Sequence, residues 1–185
     1  MIRYRNGIGY DVHKLVKGRD LILGGVKIDS EYGLSGHSDA DVLAHAISDA
    51  LLGAASLGDI GTHFPDTDLK WKDADSLFLL SEIGRMLREN GYTIANVDST
   101  VVIESPRLRP HIESMRIKLS ESLGIPVESV SVKATTSELM GFAGRREGVI
   151  AMATCSIFSD AGKGAGAGDG VDAGERIEAT GSPRG

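Results

Sequence analysis

Cysteine is almost missing from these 185 residues: Cys155 stands alone. One thiol closes no internal disulfide and builds no thiolate zinc cluster, so the composition fits a reducing, cytoplasmic setting. Aromatic residues make up only 5%, and proline occurs 5 times. Positive charge is in deficit, with 20 Lys and Arg against 26 Asp and Glu and a net charge of −6. That balance argues against generic binding to nucleic acid or to an anionic membrane, which calls for a basic face. A polyanionic substrate would need local attraction, from metal ions or a few placed cations. Long apolar runs are missing as well. The longest mostly apolar stretch, Val149 to Phe158, falls well short of the roughly 20 residues of a membrane helix. The N-terminal Met1-Ile2-Arg3-Tyr4-Arg5-Asn6 lacks the apolar core of a signal peptide, so the chain reads as neither secreted nor membrane-spanning.

What is present reads as a globular body, with 41% hydrophobic and 25% charged residues. One composition break divides it. From Ala161 the text runs AGKGAGAGDGVDAGERIEATGSPRG, too poor in large apolar side chains to offset chain entropy. Residues 1–160 are expected to form the domain and residues 161–185 a flexible Gly/Ala-rich tail.

Within the body, apolar spacing switches between the periods of strand and helix. Ile8, Tyr10 and Val12 alternate with Gly9, Asp11 and His13, a strand with one chemically loaded face. Leu21 to Leu23 and Val26 to Ile28 flank Gly24-Gly25 as two short strands about a turn. Val42, Leu43, Ala46, Ile47, Ala50, Leu51 and Ala54 predict a helix from Ser38 to about Ala55, with Ser38 or Asp39 as its N-cap. Leu77, Leu80, Ile83 and Leu87 mark a second helix, stopped at Asn90-Gly91. Val97 to Ile103 is a β-branched strand, and Pro110 opens a third helix that Gly124 and Pro126 end. Val130 and Val132, then Val149 to Phe158, supply the last strands. The order β-β-β-α-α-β-α-β-β predicts an α+β fold, a mixed β-sheet covered on one face by helices.

Four segments carry chemistry. Asp11 and His13 share a strand face, and Asp41, His45 and Asp49 form a polar stripe on an apolar helix. Asp11, His13 and His45 suit zinc as an O,N,N set with an open fourth position; a surface pair beside a satisfied core histidine fits the same spacing. His37-Ser38-Asp39-Ala40-Asp41 either offers a helix N-terminus to phosphate or simply caps the helix. Asp59 to Asp68 is rich in carboxylates and turn residues, without the glycine and glutamate offsets of a calcium EF-hand. Lys133 to Glu138 leaves a strand with small hydroxyl side chains suited to phosphate, and Glu138 suits a hard cation.

In this order, GYDVH, LSGHSDADVLAHAISDALLGAASLGDIGTHFPDTD, NVDSTVV, ESPRLRPHI and SVKATTSELMGFAGRREG resemble the 2-C-methyl-D-erythritol 2,4-cyclodiphosphate synthase family of the non-mevalonate isoprenoid pathway. The likeness runs from Gly9 to about Phe158; the combination is specific although no single piece is. The resemblance implies a single-domain subunit of a homotrimer, with active sites between neighbouring subunits. It implies zinc, or another divalent transition metal, at Asp11, His13 and His45, and Mg²⁺ or Mn²⁺ held at the diphosphate by Glu138. His37 and Thr136 fall on the family's transition-state stabilisers. Ser38, Asp59, Ile60 and Gly61, with Phe64, Pro65, Asp66, Thr67 and Asp68, fall on substrate-binding positions, the loops for the methylerythritol part among them. Pro106, Leu108, Ala134 and Thr135 fall on the cytidine pocket, and Ser137 keeps a hydroxyl where some members carry Thr. Phe142 and Arg145 fall near the phosphate end and the central trimer cavity. The tail passes the usual family end and has no assigned role.

The implied reaction is intramolecular. The 2-phosphate of a CDP-linked methylerythritol attacks the β-phosphorus, closes a cyclic diphosphate and expels CMP, which makes the chain a phosphorus–oxygen lyase. It needs no protein nucleophile, and no convincing Ser/His/Asp or Cys/His set is present. A metal-dependent phosphohydrolase and a non-catalytic nucleotide-binding trimer are the competing readings.

Overall fold

The computed structural model describes residues 1–65, 67–71 and 74–160; Asp66 and the segment 161–185 lie outside the described residues. β1 (Ile2–Lys17) is followed by β2 (Leu21–Leu23) and β3 (Val26–Ile28), which pair antiparallel about Gly24 and Gly25. Both glycines have positive φ, 55° and 71°, as a tight two-residue turn requires. β4 (Tyr32–Ser35), α1 (Val42–Ala55), the single turn α2 (Ile60–His63) and α3 (Ser76–Glu89) come next. β5 (Thr93–Val102), α4 (Ile112–Leu123), β6 (Val130–Thr135), the single turn α5 (Gly141–Gly144) and β7 (Gly148–Asp160) complete the order.

Five strands form one sheet in the order β4-β1-β7-β5-β6. β5 and β6 run parallel and the other neighbours antiparallel, so the sheet is mixed as expected. Leu43, Ile47 and Leu51 of α1, Leu80, Ile83 and Leu87 of α3, and Met115 and Leu119 of α4 are fully buried on the inner face of the sheet, in one core with Val101, Val149 and Ile157. Each such side chain contributes about 1.5–3 kcal/mol relative to exposure.

β1 follows an unusual rule. Its apolar residues Ile8, Tyr10 and Val12 face away from the helices, with Ile8 81% exposed, and the residues of the other parity face α1. The cause is Gly7 and Gly9. A Cβ on Gly9 would lie 1.9 Å from Ala46 O, and one on Gly7 would lie 1.9 Å from Ala50 O. Only glycine lets the helix backbone come this close. Because Gly9 meets Ala46 while Gly7 meets Ala50, α1 runs antiparallel to β1 and its first turn ends beside Asp11 and His13.

α1 begins later than expected. Its N-cap is Asp41, not Ser38 or Asp39, and Asp41 Oδ1 accepts from the N–H groups of Leu43 and Ala44, both at 3.1 Å. Residues 36–41 form a bent loop in which Ala40 has φ 60°. α3, α4 and the last strand fall where apolar spacing placed them, whereas β1 extends to both sides of its predicted core and β4 carried no strong pattern.

Candidate metal centre and substrate site

Asp11 and His13 project from β1 toward α1, and His45 projects from the first turn and a half of that helix. His13 Nε2 and His45 Nδ1 lie 3.1 Å apart, His45 Nδ1 and Asp11 Oδ2 3.1 Å, and His13 Nε2 and Asp11 Oδ2 3.3 Å. Bonds of about 2.0–2.1 Å at tetrahedral angles set ligand atoms about 3.3–3.4 Å apart, so the triangle has the size of one face of a zinc tetrahedron. Among the described residues, this is the one group of His, Cys, Asp and Glu side chains that could hold a metal ion. Two nitrogens and one carboxylate oxygen fit a borderline transition metal better than calcium or magnesium.

Two of the three groups are shifted toward the protonation state that a metal binds. Burial would raise the Asp11 carboxyl, but the His45 hydrogen bond and the two imidazoles hold it below its ordinary value. Burial pushes the His13 imidazole down, toward the neutral ring that a metal binds. For His45 burial acts in the same direction, and the hydrogen bond and charge of Asp11 outweigh it, leaving the ring raised.

The polar stripe of α1 divides its labour. Asp41 is fully buried; besides capping the helix it accepts from Gly25 N–H through Oδ2 at 2.7 Å. The N–H groups of Leu43 and Ala44 are thus already taken, and His37 and Ser38 lie in the loop before α1. Asp49 Oδ1 accepts from Ile60 N–H at 2.8 Å, pinning α2 against the same helix. Asp59 caps α2, its Oδ1 taking both the N–H and the hydroxyl of Thr62 at 2.8 Å.

A cavity of about 450 Å³ opens beside the triangle, lined in part by His13, His45, His37, Ser38, Ile60, Gly61, Phe64 and Pro65. Trp71 closes one wall, edge-on to Phe64 with ring centroids 5.0 Å apart. Thr67 and Asp68 form the exposed turn that leads to it, Asp68 Oδ1 accepting from Lys70 N–H at 2.9 Å.

A second cavity, of about 400 Å³, is lined by Pro106, Leu108, Ala134, Thr135 and Thr136 together with Glu104, Arg107 and Arg109. Beyond its rim Thr136 Oγ1 donates to Glu138 Oε1. Glu104 Oε1 accepts from the N–H groups of Ser137 at 2.9 Å and Leu139 at 3.3 Å. That carboxylate braces a turn in which Glu138 and Leu139 hold φ values of 54° and 62°, sparsely populated for such residues. Phe142 and Arg145 lie on and after α5, where Arg145 Nε donates to Glu147 Oε1 at 2.8 Å.

The two cavities occupy the same end of the sheet but not the same strands. Asp11 pairs with Ala151, Ala151 with Val101, and Val101 with Ala134. Three strand steps of about 4.8 Å put the metal triangle and the Thr136 corner about 14 Å apart along that row.

The YgbB family model matches residues 4–158. The 2-C-methyl-D-erythritol 2,4-cyclodiphosphate synthase of Salinibacter ruber is 59% identical over 155 residues, 84% of this chain and 99% of that protein. Among solved structures, the bifunctional IspDF of Campylobacter jejuni superposes with a TM-score of 0.83 at 41% identity, over 86% of this chain and 43% of that one. The IspF–CDP complex of Plasmodium falciparum superposes with a TM-score of 0.74 at 31% identity, over 85% and 97%. The chain belongs to the YgbB family.

Within this YgbB-family fold, Asp11, His13 and His45 converge on one point. His37, Ser38, Ile60, Gly61, Phe64 and Pro65 line the first cavity, with Asp59, Thr67 and Asp68 on the segments that frame it. Pro106, Leu108, Ala134, Thr135 and Thr136 line the second, with Ser137 and Glu138 just beyond. Sequence reasoning placed Asp49 on the polar stripe of α1 but missed Trp71, Ser76 and Glu104. Trp71 is the single tryptophan of the chain, a signal that was available; the other two act through contacts that no spacing announces.

Proposed function

We propose that the chain converts 4-CDP-2-C-methyl-D-erythritol 2-phosphate to 2-C-methyl-D-erythritol 2,4-cyclodiphosphate with release of CMP, in the cytoplasm. Membership of the YgbB family and the Asp11–His13–His45 triangle of zinc-face dimensions carry this reading. Zinc at the triangle and Mg²⁺ or Mn²⁺ at Glu138 would supply positive charge to the phosphate oxygens.

The chain's own residues do the positioning. The physical obstacle is like-charge approach: a unit pair at 4 Å costs roughly 4 kcal/mol at an effective dielectric near 20. His37 and Ser38 offer donors to a phosphate at the mouth of the first cavity, and Thr136 offers a hydroxyl at the rim of the second. Asp59 to Asp68 holds the methylerythritol part, and Pro106, Leu108, Ala134 and Thr135 hold the cytidine. The attack is already intramolecular, and holding the 2-phosphate oxygen in line with the β-phosphorus supplies the orientation, a gain that reaches roughly 7–11 kcal/mol in well-oriented systems.

The active unit we propose is a homotrimer. One diphosphate has to reach both the triangle, beside the first cavity, and Glu138, just beyond the rim of the second and about three strand steps away. An exposed apolar face on β1 and β7, with Ile2, Tyr4, Ile8, Tyr10, Val12 and Met152, gives neighbouring copies a surface to bury. Packing there would bring the first cavity of one subunit to the second cavity of the next. Residues 1–160 form the catalytic unit in this reading, and Cys155, buried and pushed up to about 11 by that burial, is a quiet thiol compatible with a reducing compartment.

The test is the fate of solvent oxygen. In ¹⁸O-labelled water, phosphorus NMR should show CMP and a cyclic diphosphate, both unlabelled. Label entering a linear phosphate product in step with CMP release would refute the cyclase and establish a hydrolase.

A further inference from the structure

Ser76 is the first residue of α3 and is 1% exposed. Its hydroxyl donates to Asp39 Oδ1 and lies 3.0 Å from His45 Nε2. A hydroxyl has one proton, and this one is given to the carboxylate, so toward the imidazole Ser76 accepts. Nε2 then carries a ring proton, and Nδ1, 3.1 Å from Asp11 Oδ2, is the ring atom aimed at the point shared with Asp11 and His13. Ser38 Oγ, 3.3 Å from the same Nε2, is a second acceptor. Asp39 is itself fixed from two sides. Its Oδ2 accepts from Ser76 N–H at 3.2 Å, and its own N–H donates to Ala74 O at 3.2 Å.

We propose that Asp39 and Ser76 form a relay that orients His45 as a metal ligand and strengthens its Nδ1 as a donor. The inference rests on the metal site of the proposed function. A ligating imidazole whose free N–H leads to a carboxylate has one ring orientation and greater basicity, and loss of such support costs metal affinity. Here one buried hydroxyl stands between ring and carboxylate. The same hydroxyl sits where α3 begins, so Ala74 and the start of α3 are tied to the metal centre through their hydrogen bonds with Asp39. Asp39 and Ser76 are positioning residues, acting through His45.

Ser76→Ala removes the hydroxyl and leaves the cap of α3 in place, because Asp75 Oδ1 accepts from Leu77 N–H at 2.8 Å. Zinc affinity is measured by competition with a chromophoric chelator, and the site is also read through the visible absorption of the Co²⁺-loaded protein. The variant should bind zinc about 10–100-fold more weakly and shift the Co²⁺ bands. In the zinc-loaded wild type the His45 Nε2–H should exchange slowly by NMR, and in the variant rapidly. Asp39→Asn, which keeps an acceptor oxygen and loses the charge, should fall between the two. A weakened affinity in a variant whose metal-free melting temperature matches the wild type supports the relay; a loss of affinity that only follows a loss of folding in both variants overturns it. Equal affinities and spectra also overturn it while leaving the metal site standing. A wild-type protein that binds neither Zn²⁺ nor Co²⁺ overturns the metal site, and the relay with it.

Discussion

Gly9→Ala adds one methyl group at the place where α1 and β1 touch. The new Cβ would stand 1.9 Å from Ala46 O and 2.8 Å from Ala50 N, where real contacts do not fall below 3.0 Å. Both atoms are helix backbone, so no side chain can swing aside; α1 has to retreat by about 1.1 Å. Overpacking of this kind costs about 1–3 kcal/mol, which for a domain of this size lowers the melting temperature by about 2–12 °C. The metal site should suffer more than the fold. His45 precedes Ala46 and moves with it, while Asp11 and His13 stay on the strand, so a triangle with edges of 3.1 to 3.3 Å opens on two sides. Metal–ligand bonds tolerate about 0.2 Å, and zinc affinity should drop at least tenfold. Gly53→Ala is the control on the same helix. Its Cβ would meet nothing nearer than Ile8 O at 4.0 Å, and alanine in a helix gains about 0.5–1 kcal/mol over glycine. Calorimetry and chelator competition on the pair decide the matter. Wild-type zinc affinity and melting temperature in Gly9→Ala would refute the close-approach argument.

Asp11→Asn and His45→Ala should each lose zinc and nearly all activity; full zinc occupancy in both by metal analysis removes the triangle from the reaction. Glu138→Gln should keep zinc and need far more Mg²⁺ for the same rate, and an unchanged Mg²⁺ dependence takes Glu138 out of the mechanism. Burial pushes the Asp41 carboxyl up to about 6 against the pull of backbone N–H donors. The fold then holds this proton more tightly than the unfolded chain does, so the group's contribution to stability rises as pH falls from about 6 toward 4. Asp41→Asn, with no proton to take up, should cost less stability at about pH 7.5 than at about pH 5 in urea titrations, and a gap of the opposite sign contradicts the burial argument.

The elements that sequence reasoning located best are those with long single-period patterns. Leu77 to Leu87 can only be one face of a helix, and Asn90-Gly91 ends it where Gly91 has φ 77°. β1 shows the limit of the method. Alternation identified its two faces, but a period of two is silent on which face meets the helices, and the small residues Gly7 and Gly9 decided that against the apolar ones. The start of α1 was misplaced for a related reason. Ser38, Asp39 and Asp41 all have capping side chains; only the fold shows that Asp41 caps the helix while Ser38 and Asp39 turn to His45 and Ser76. Asp11, His13 and His45 were legible because donor chemistry is written in residue type. Ser76 and Glu104 were not, since a serine or glutamate that braces another residue looks like any other on the page.

In the proposed homotrimer, the row from Asp11 through Ala151 and Val101 to Ala134 would make catalysis a property of a junction between chains rather than of one polypeptide. On the proposed trimer, a subunit broken at His45 still lends an intact nucleotide half to its neighbour, and one broken at Thr136 still lends an intact metal half. Co-expressed, two individually dead proteins should restore each other. Every mixed trimer holds a single sound junction, so random assembly from equal amounts recovers about a quarter of wild-type sites. The converse also holds: an allele carrying both lesions poisons every trimer it enters, and its harm exceeds its share of the subunits.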